Sequence, residues 1–305
     1  MVRFEQPRVS RSRPALQHAM RWVGGAALAL GLVACGPSRR DAVIRAARSA
    51  DVEWRSRAEP GSLERSLQAC LDLSAEYPKE PRVHWRLARI YTTMGDVDDV
   101  DDAAAVRLYG TAREYGLQCL MLEPSFEGVV LSKGGRVTPM AAEQITEQNK
   151  ECLVWTVIAW SRWVHVRGSA GVGLDHEVLA VLGARAAELG GNWGSGRGHY
   201  AHGLALSLPP LVLDPDLAGA EAAFARALEA APGRLTTKVD LALYVYRPLK
   251  RFDEADAILQ EVISTTLSDD DPDELEDRHA QARARAALGA PPMEEPGDPT
   301  GVPTQ

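Results

Sequence analysis

Hydrophobic residues recur at intervals of three and four along most of the chain, from residue 41 to residue 289. Clear examples are the apolar positions Leu63, Leu67, Cys70 and Leu71, and the positions Ala255, Ile258, Leu259 and Val262. Because such positions share one face of an α-helix, the pattern predicts amphipathic helices. No segment alternates convincingly with a period of two, which a half-buried strand would require. The pattern therefore predicts an all-α protein.

Glycine and proline residues separate the predicted helices, and the densest group is GGNWGSGRGHYAHG at residues 190–203. This stretch follows one helical segment and precedes another, a position where glycine readily ends a helix because it adopts positive φ. A phosphate-binding loop would instead need Gly-Lys-Ser/Thr after a strand. We therefore interpret the stretch as the turn of a helix hairpin.

Two histidines in that stretch, His199 and His202, are three residues apart, so both would project from one face of a helix and could bind a metal ion. The nearest acids in the sequence are Glu188 and Asp214, and neither completes a set of ligands within the next helical turns. We therefore expect no metal site and no cofactor. No other arrangement is typical of a catalytic site, so we expect that the chain is not an enzyme. A metal-dependent hydrolase that uses the two histidines is an alternative hypothesis.

Small, aromatic and proline residues recur at fixed offsets in several predicted helices. Two segments have the offsets 0, 4, 7 and 12 of the second helix of a tetratricopeptide repeat, namely Ala220, Phe224, Ala227 and Pro232, and Ala112, Gly116, Cys119 and Pro124. Leu87, Ala88 and Tyr91 match the pattern of the first helix, with Gly95 as a turn residue. Small residues let paired helices approach, and an aromatic ring fills the gap between them. The spacing predicts stacked antiparallel helix hairpins that form a curved, tetratricopeptide-like α-solenoid over residues 41–289, with ordinary helix packing as the alternative.

The composition agrees with helices, because alanine and leucine dominate the apolar residues and aromatic residues make up only 6% of the chain. The net charge is −8. Residues 1–34 carry five arginines against one glutamate, which is +4, so the remainder carries −12. An acidic chain of this kind is a poor binder of nucleic acids, since phosphate contacts need clustered lysine and arginine.

The N-terminal segment has the features of a bacterial secretory signal. Basic residues precede the apolar run Val23–Ala34, which at 12 residues is too short to span a bilayer. The letters Leu32–Gly36 resemble the lipobox of bacterial lipoproteins, which predicts a signal peptide over residues 1–35 that ends at a lipidated Cys35. Either Met1 or Met20 could be the true start. Gly36 stands where aspartate would retain a lipoprotein in the inner membrane, so the outer membrane is the expected location.

Two short segments flank the helical domain, and three cysteines lie within it. Residues 36–40 form a tether, and residues 290–305 hold five prolines and few apolar residues, which predicts a disordered tail. Cys70, Cys119 and Cys152 each lie in an apolar helical stretch. One pair of them could form a disulfide, but their spacing does not specify which pair.

The order of several local motifs resembles the T component of TRAP transporters, a family of TatT-like lipoproteins. The matching segments are 115–126, with a Glu-Pro helix end; 153–160, an aromatic helix; 198–210, which ends in a double proline and precedes the Ala220–Ala227 helix; and 238–244. With the lipobox, they cover nearly the whole mature chain. One departure lies at residues 211–216, where the family usually has a Gly-Gly-Asp turn.

This resemblance implies a tetratricopeptide-like helical lipoprotein that faces the periplasm, is a homotrimer and has no catalytic role. Its partner would be the solute-binding P component of a TRAP system, and its ligand would be an apolar organic acid. The aromatic residues predicted to line a ligand groove are Trp155, Trp160, Trp163, Tyr200 and Tyr244, each of which could instead fill the core. A generic tetratricopeptide scaffold in envelope assembly or secretion is the alternative function.

Overall fold

A computed structural model of the chain describes residues 39–97, 101–168, 175–208, 215–268 and 273–289. The predicted signal peptide, the lipidation site Cys35 and the proline-rich tail lie outside the described residues, as does most of the segment 211–216. The described residues belong to one compact unit.

The described residues form helices and no strand, which confirms the all-α prediction. The helices are α1 (Arg39–Arg55), α2 (Ser62–Glu76), α3 (Pro81–Val97), α4 (Asp102–Leu120), α5 (Pro124–Ser132), α6 (Pro139–Glu143), α7 (Lys150–Arg167), α8 (Asp175–Gly190), α9 (Arg197–Leu206), α10 (Leu217–Ala230), α11 (Leu235–Leu241), α12 (Phe252–Ser264) and α13 (Glu274–Gly289). A 3₁₀ turn, Glu147–Asn149, precedes α7, and a π-helical segment, Ala242–Tyr246, continues α11. Consecutive helices pack as pairs, including α3 with α4, α8 with α9, α9 with α10 and α12 with α13.

Helix α7 lies at the centre of this arrangement and contacts α3, α4, α8 and α9. Its middle is apolar on all sides, with the buried run Cys152–Ala159. A helix that is hydrophobic all round is stable only when other helices surround it, which accounts for the central position. Residues on opposite faces of α7 therefore border different parts of the interior.

The residues of the repeat pattern mostly lie in helix interfaces. Leu87, Ala88, Ala112, Ala220, Phe224 and Ala227 are buried, Tyr91 stacks on Tyr115 with 5.8 Å between ring centroids, and Pro232 is exposed just after the end of α10. In the α9–α10 pair, Phe224 packs over Gly203, where a Cβ atom would lie 2.8 Å from its ring. The packing of small residues against large ones thus follows the expected chemistry. The tetratricopeptide repeat and the curved solenoid stay predictions.

Two glycines of the pattern have different neighbours from those expected. Gly116 of α4 approaches α7, since a Cβ atom there would lie 2.5 Å from Thr156 Oγ1. Gly95 lies inside the last turn of α3 instead of in a turn between helices, and the ring of Tyr109 packs against it. Both glycines therefore permit close contact between helices.

The glycine-rich stretch joins α8 to α9, as the hairpin interpretation requires. Helix α8 ends at Gly190 and α9 begins at Arg197, with Gly196 at φ 82° before it. A Cβ atom on Gly198 would lie 2.4 Å from the carbonyl oxygen of Ala186, so only glycine allows the two helices to approach this closely. The glycines of this stretch therefore form the turn and allow the two helices to pack closely.

A disulfide joins Cys119 of α4 to Cys152 of α7, with 5.6 Å between the Cα atoms. Cys70 of α2 is a buried free thiol, and burial raises its pKa to about 11. The structure thus assigns the pairing that the sequence left open. Within the described ranges, no helix is both long enough and apolar enough to cross a bilayer.

Candidate ligand cavity

A small cavity lies where α3, α7, α9 and the start of α13 meet. Its volume is about 30 Å³, which is the space of one water molecule. Its apolar wall comes from Trp155 and Ile158 of α7, and Tyr200 of α9 lies beside them. The remaining lining residues are polar or charged: Thr93, Asp96, Arg197, Arg234, Thr236, Asp273, Glu276 and Asp277. The cavity therefore has one aromatic side and one ionic side.

Trp155 is the main aromatic residue of the cavity. Its side chain is held in the core by α7, with only 4% of the residue exposed. Its indole Nε1–H is buried and has no hydrogen-bond partner. The guanidinium carbon of Arg197 lies 5.1 Å from the centre of the indole ring, within range of a cation–π contact. A buried N–H group without an acceptor destabilises the fold unless a ligand or a water molecule accepts its hydrogen bond.

Three arginines from distant parts of the chain surround the carboxylate of Asp273, and we call these four residues the Asp273 cluster. Arg57 Nη2 donates to Oδ1 at 3.0 Å, Arg197 Nη2 to Oδ1 at 3.4 Å and Arg234 Nη2 to Oδ2 at 3.2 Å. Burial acts to raise the pKa of Asp273, but the charges of the three arginines outweigh it and hold the pKa below its ordinary value. The carboxylate is thus ionised at neutral pH, and 24% of its side chain is exposed.

Glu276, one turn further along α13, pairs with the same Arg57. The Arg57 Nε donates to both carboxylate oxygens, at 2.8 and 3.0 Å. Burial raises the pKa of Glu276 in spite of this arginine. Burial and the charge of Arg234 lower the pKa of Arg197. The ionic side of the cavity is therefore a partly desolvated set of charges, where electrostatic interactions are stronger than at an open surface.

A second ionic group lies deeper, and we call it the Asp240 centre: Asp240, Arg162, Arg283 and Tyr200. Arg162 donates to the two oxygens of Asp240 at 3.0 and 2.7 Å, and Arg283 donates to Oδ1 at 2.8 Å. The Tyr200 hydroxyl donates to Oδ2 at 2.7 Å and accepts from Arg162 Nη2 at 2.7 Å. Burial acts to raise the pKa of Asp240, but Arg162 and Arg283 lower it to about 2. This centre ties α7, α9, α11 and α13 together, and Tyr200 connects it to the cavity.

A family model described as the TRAP transporter T-component matches residues 91–291, about two-thirds of the chain. The chain belongs to the TRAP transporter T-component family. The match includes Trp155, Arg197, Arg234 and Asp273, while Arg57 comes from the region before it. A comparison with curated proteins gives no significant match. The family is a transporter component and not an enzyme family, so this T component has a role in TRAP transport.

The structure brings together two of the five aromatic residues predicted for the groove of the T component, Trp155 and Tyr200. Trp160 Nε1 donates to Asp175 at 3.0 Å, and the Trp163 ring lies between Arg113 and Arg167, at 4.3 and 4.2 Å. These two residues do not line the cavity.

The fifth residue, Tyr244, stacks on His165 with 4.0 Å between ring centroids. Burial, together with the charge of Arg162, lowers the pKa of His165 to about 3. The histidine is therefore neutral at physiological pH, and this ring pair belongs to the interior beside the Asp240 centre. A ligand role for any of the five aromatic residues stays a prediction.

The charged residues of the cavity were not predicted from the sequence. Arg57 and Asp273 are 216 residues apart, and nothing local in the sequence connects them. Two weaker signals existed. Arg162 follows the mainly apolar run Cys152–Trp160 of α7, and Arg197 lies within the glycine-rich stretch, where the surrounding backbone packs closely. An arginine at such positions is buried only if a carboxylate or a ligand partners it.

His199 and His202 lie on α9 away from the cavity. His199 packs against Gly191, where a Cβ atom would lie 2.7 Å from its Nε2, and His202 packs against Gly183. Burial lowers the pKa of both histidines, and nearby Arg226 lowers it further. In the described part of the chain, no three or more His, Cys, Asp or Glu side chains are grouped so that they could hold a metal ion. The positive charge of Arg226 beside both histidines also disfavours the binding of a metal cation.

A larger surface cleft of about 1100 Å³ lies near the N-terminal end, between α1, the start of α3 and the start of α7. Its lining includes Tyr77, Lys79, Arg82 and Trp85. Arg86, at its edge, is paired with Asp51 at 2.6 Å, and Arg82 with Glu80. The smaller cavity is the better candidate for a specific site, because it combines partly buried arginines with an unpartnered indole donor.

Proposed function

We propose that this T component is a lipid-anchored protein of the periplasmic face that binds an organic acid in the cavity and exchanges it with the solute-binding P component. The single observation that carries the ligand proposal is the juxtaposition of Trp155 and Arg197 on one cavity. An indole donor without a partner and a guanidinium group over the same ring form a site with one apolar and one cationic side.

The chemistry of this pair favours a carboxylate attached to an apolar group. Guanidinium groups bind carboxylates through charge-assisted, often bidentate hydrogen bonds. The Trp155 ring and Ile158 supply an apolar surface for the rest of the ligand. A cavity of about 30 Å³ is smaller than any organic acid, so binding requires side chains at its wall to move. Binding and release need no catalytic step.

Two features support the proposed location. The disulfide Cys119–Cys152 is of a kind that persists in oxidising compartments such as the periplasm. Helix α1 begins four residues after the predicted lipidation site Cys35, and within residues 43–55 its exposed positions carry Arg45, Arg48 and Arg55 and no acid. In a chain of net charge −8, such a face suits the anionic headgroups of a membrane surface. We propose the outer membrane as the site of the anchor, because the residue after Cys35 is glycine and not aspartate.

Ligand binding is tested by titrating the mature chain with a series of organic acids while intrinsic tryptophan fluorescence is recorded. We expect a saturable change that is lost in Trp155→Phe and kept in Trp163→Phe, a matched change on the same helix. Arg197→Gln should weaken the binding about tenfold, the effect of losing one charge-assisted contact. A response that survives Trp155→Phe and disappears in Trp163→Phe would contradict the assignment of the cavity.

Partner binding is tested with a purified solute-binding protein encoded beside this chain. We expect a saturable complex in calorimetry, and a homotrimer of the T component in light scattering, as the family resemblance implies. If the genes nearby encode no solute-binding protein or permease subunits and no complex forms, the partner proposal is wrong.

A further inference from the structure

We infer that the carboxylate of Asp273 occupies the anion site of the cavity, and that a ligand carboxylate binds by displacing it from Arg197 and Arg234. This inference rests on the proposed function, because it names the chemical class of the ligand and the group that competes with it. The Asp273 side chain would act as an internal substitute for the ligand.

Two of the three arginines have hydrogen-bond acceptors other than Asp273. Arg234 donates to the carbonyl oxygens of Ser195 and Gly194 at 3.0 and 3.2 Å. Arg57 donates to the carbonyl oxygen of Trp54 at 3.2 Å and also pairs with Glu276. Because these contacts remain when Asp273 leaves, Arg57 and Arg234 are preorganised for another carboxylate. Arg197 keeps its cation–π contact with the Trp155 ring.

Asp273 can leave without undocking its helix. It precedes α13, which is packed through the buried residues Asp277, Ala280 and Ala284. The helix is also fastened by the Arg283–Asp240 pair. Rotation of one side chain at the helix start therefore exposes the arginines, while α13 stays in place.

The surroundings of the Asp273 carboxylate also favour its exchange. The side chain of Asp273 is 24% exposed, so solvent reaches the site it occupies. The unpartnered Nε1–H of Trp155 and the guanidinium of Arg197 lie on the same cavity. The apolar tail of a ligand carboxylate can pack against Trp155. The Asp273 side chain has no such tail and makes no such contact. A site of this kind selects small organic monocarboxylates.

The test compares wild-type protein with Asp273→Ala, using acetate and propionate as probes in calorimetry and thermal unfolding. The inference predicts that the variant binds either carboxylate at least about tenfold more tightly than wild type. The midpoint of its thermal unfolding should also rise with acetate more than with the same concentration of chloride. Asp256→Ala serves as the control, because it removes an exposed carboxylate that pairs with Arg247 on the outside of α12. It should behave as wild type.

Equal or weaker carboxylate binding by Asp273→Ala than by wild type would overturn the inference. If the alanine variant does not fold, Asp273→Asn provides the same comparison, since it removes the charge but keeps the size. The proposed function can fail separately. If the variant binds acetate while wild type binds no organic acid at all, the anion site is supported and ligand carriage by the native protein is contradicted. If wild type binds organic acids through Trp155 but the variant gains nothing, the function stands and displacement is wrong.

Discussion

The Asp240 centre and the Asp273 cluster use the same chemistry, one aspartate held by arginines from distant helices, in two different surroundings. Asp240 is fully buried within α11 and has a tyrosine hydroxyl as an additional partner. Asp273 stands at the start of α13, partly exposed, beside a cavity with an unpartnered indole donor. Asp240 accepts hydrogen bonds on both carboxylate oxygens in the interior, whereas Asp273 borders a space that another molecule could enter.

This difference separates a structural ion pair from a binding site. A buried carboxylate that joins four helices can be removed only at the cost of unpaired charges in the interior. A carboxylate at the edge of a cavity can be exchanged for one from solution, because water and ligand reach it. The comparison predicts that stability depends mainly on Asp240 and ligand binding mainly on Asp273.

The largest effect is expected for Asp240→Asn. It removes the negative charge that the buried guanidinium of Arg162 and the partly buried one of Arg283 share. Although Arg162 keeps Asp96 at 3.1 Å, the loss should lower the free energy of unfolding by about 3–5 kcal/mol. The matched change Asp273→Asn should cost only about 1–2 kcal/mol, because Arg57 and Arg234 keep other acceptors and solvent reaches the site. Urea unfolding of both variants measures the difference. Equal losses would show that the two aspartates do not differ in this way.

A pH dependence should sharpen the comparison. The pKa of Asp240 is lowered to about 2 in the folded chain, against about 3.9 when unfolded. A depressed pKa gives stability that is fully present above about pH 4 and is lost as the pH falls through about 2, here about 2 kcal/mol. The stability gap between wild type and Asp240→Asn should therefore shrink by that amount between about pH 5 and pH 2. A gap that stays constant over this range would contradict the assigned pairing.

The smallest effect is expected for Tyr200→Phe. The change removes one hydroxyl that donates to Asp240 and accepts from Arg162, but keeps the ring that packs against Phe224, with 6.0 Å between centroids. We expect a loss of about 1–2 kcal/mol in the free energy of unfolding, as for a hydrogen bond to a charged group. In Asp240→Asn the same change should cost less, because the hydroxyl no longer has a charged acceptor. If the losses in the free energy of unfolding simply add in the double variant, the Tyr200 hydroxyl and the Asp240 carboxylate are not coupled.

Local patterns were sufficient to predict the helices, because burial of one face leaves a period in the sequence. The turn at residues 190–203 and the buried positions Ala220, Phe224 and Ala227 followed from the same reasoning. The cavity could not be predicted from local patterns, because Arg57, Arg197 and Arg234 meet Asp273 only through the packing of separate helices. Charged residues are normally solvated, so their burial leaves no periodic signal. Aromatic type alone also could not distinguish Trp155, at the cavity, from Trp163, between two arginines elsewhere.

The central claim is that the Trp155–Arg197 cavity receives a carboxylate. A crystal structure of the wild-type chain grown with a small organic acid, such as propionate, tests it most directly. We predict that the carboxylate lies within hydrogen-bonding distance of Arg197 and Arg234, with the tail against Trp155 and the Asp273 side chain turned towards solvent. A structure in which Asp273 keeps its three arginines while the acid is bound at another site would contradict it.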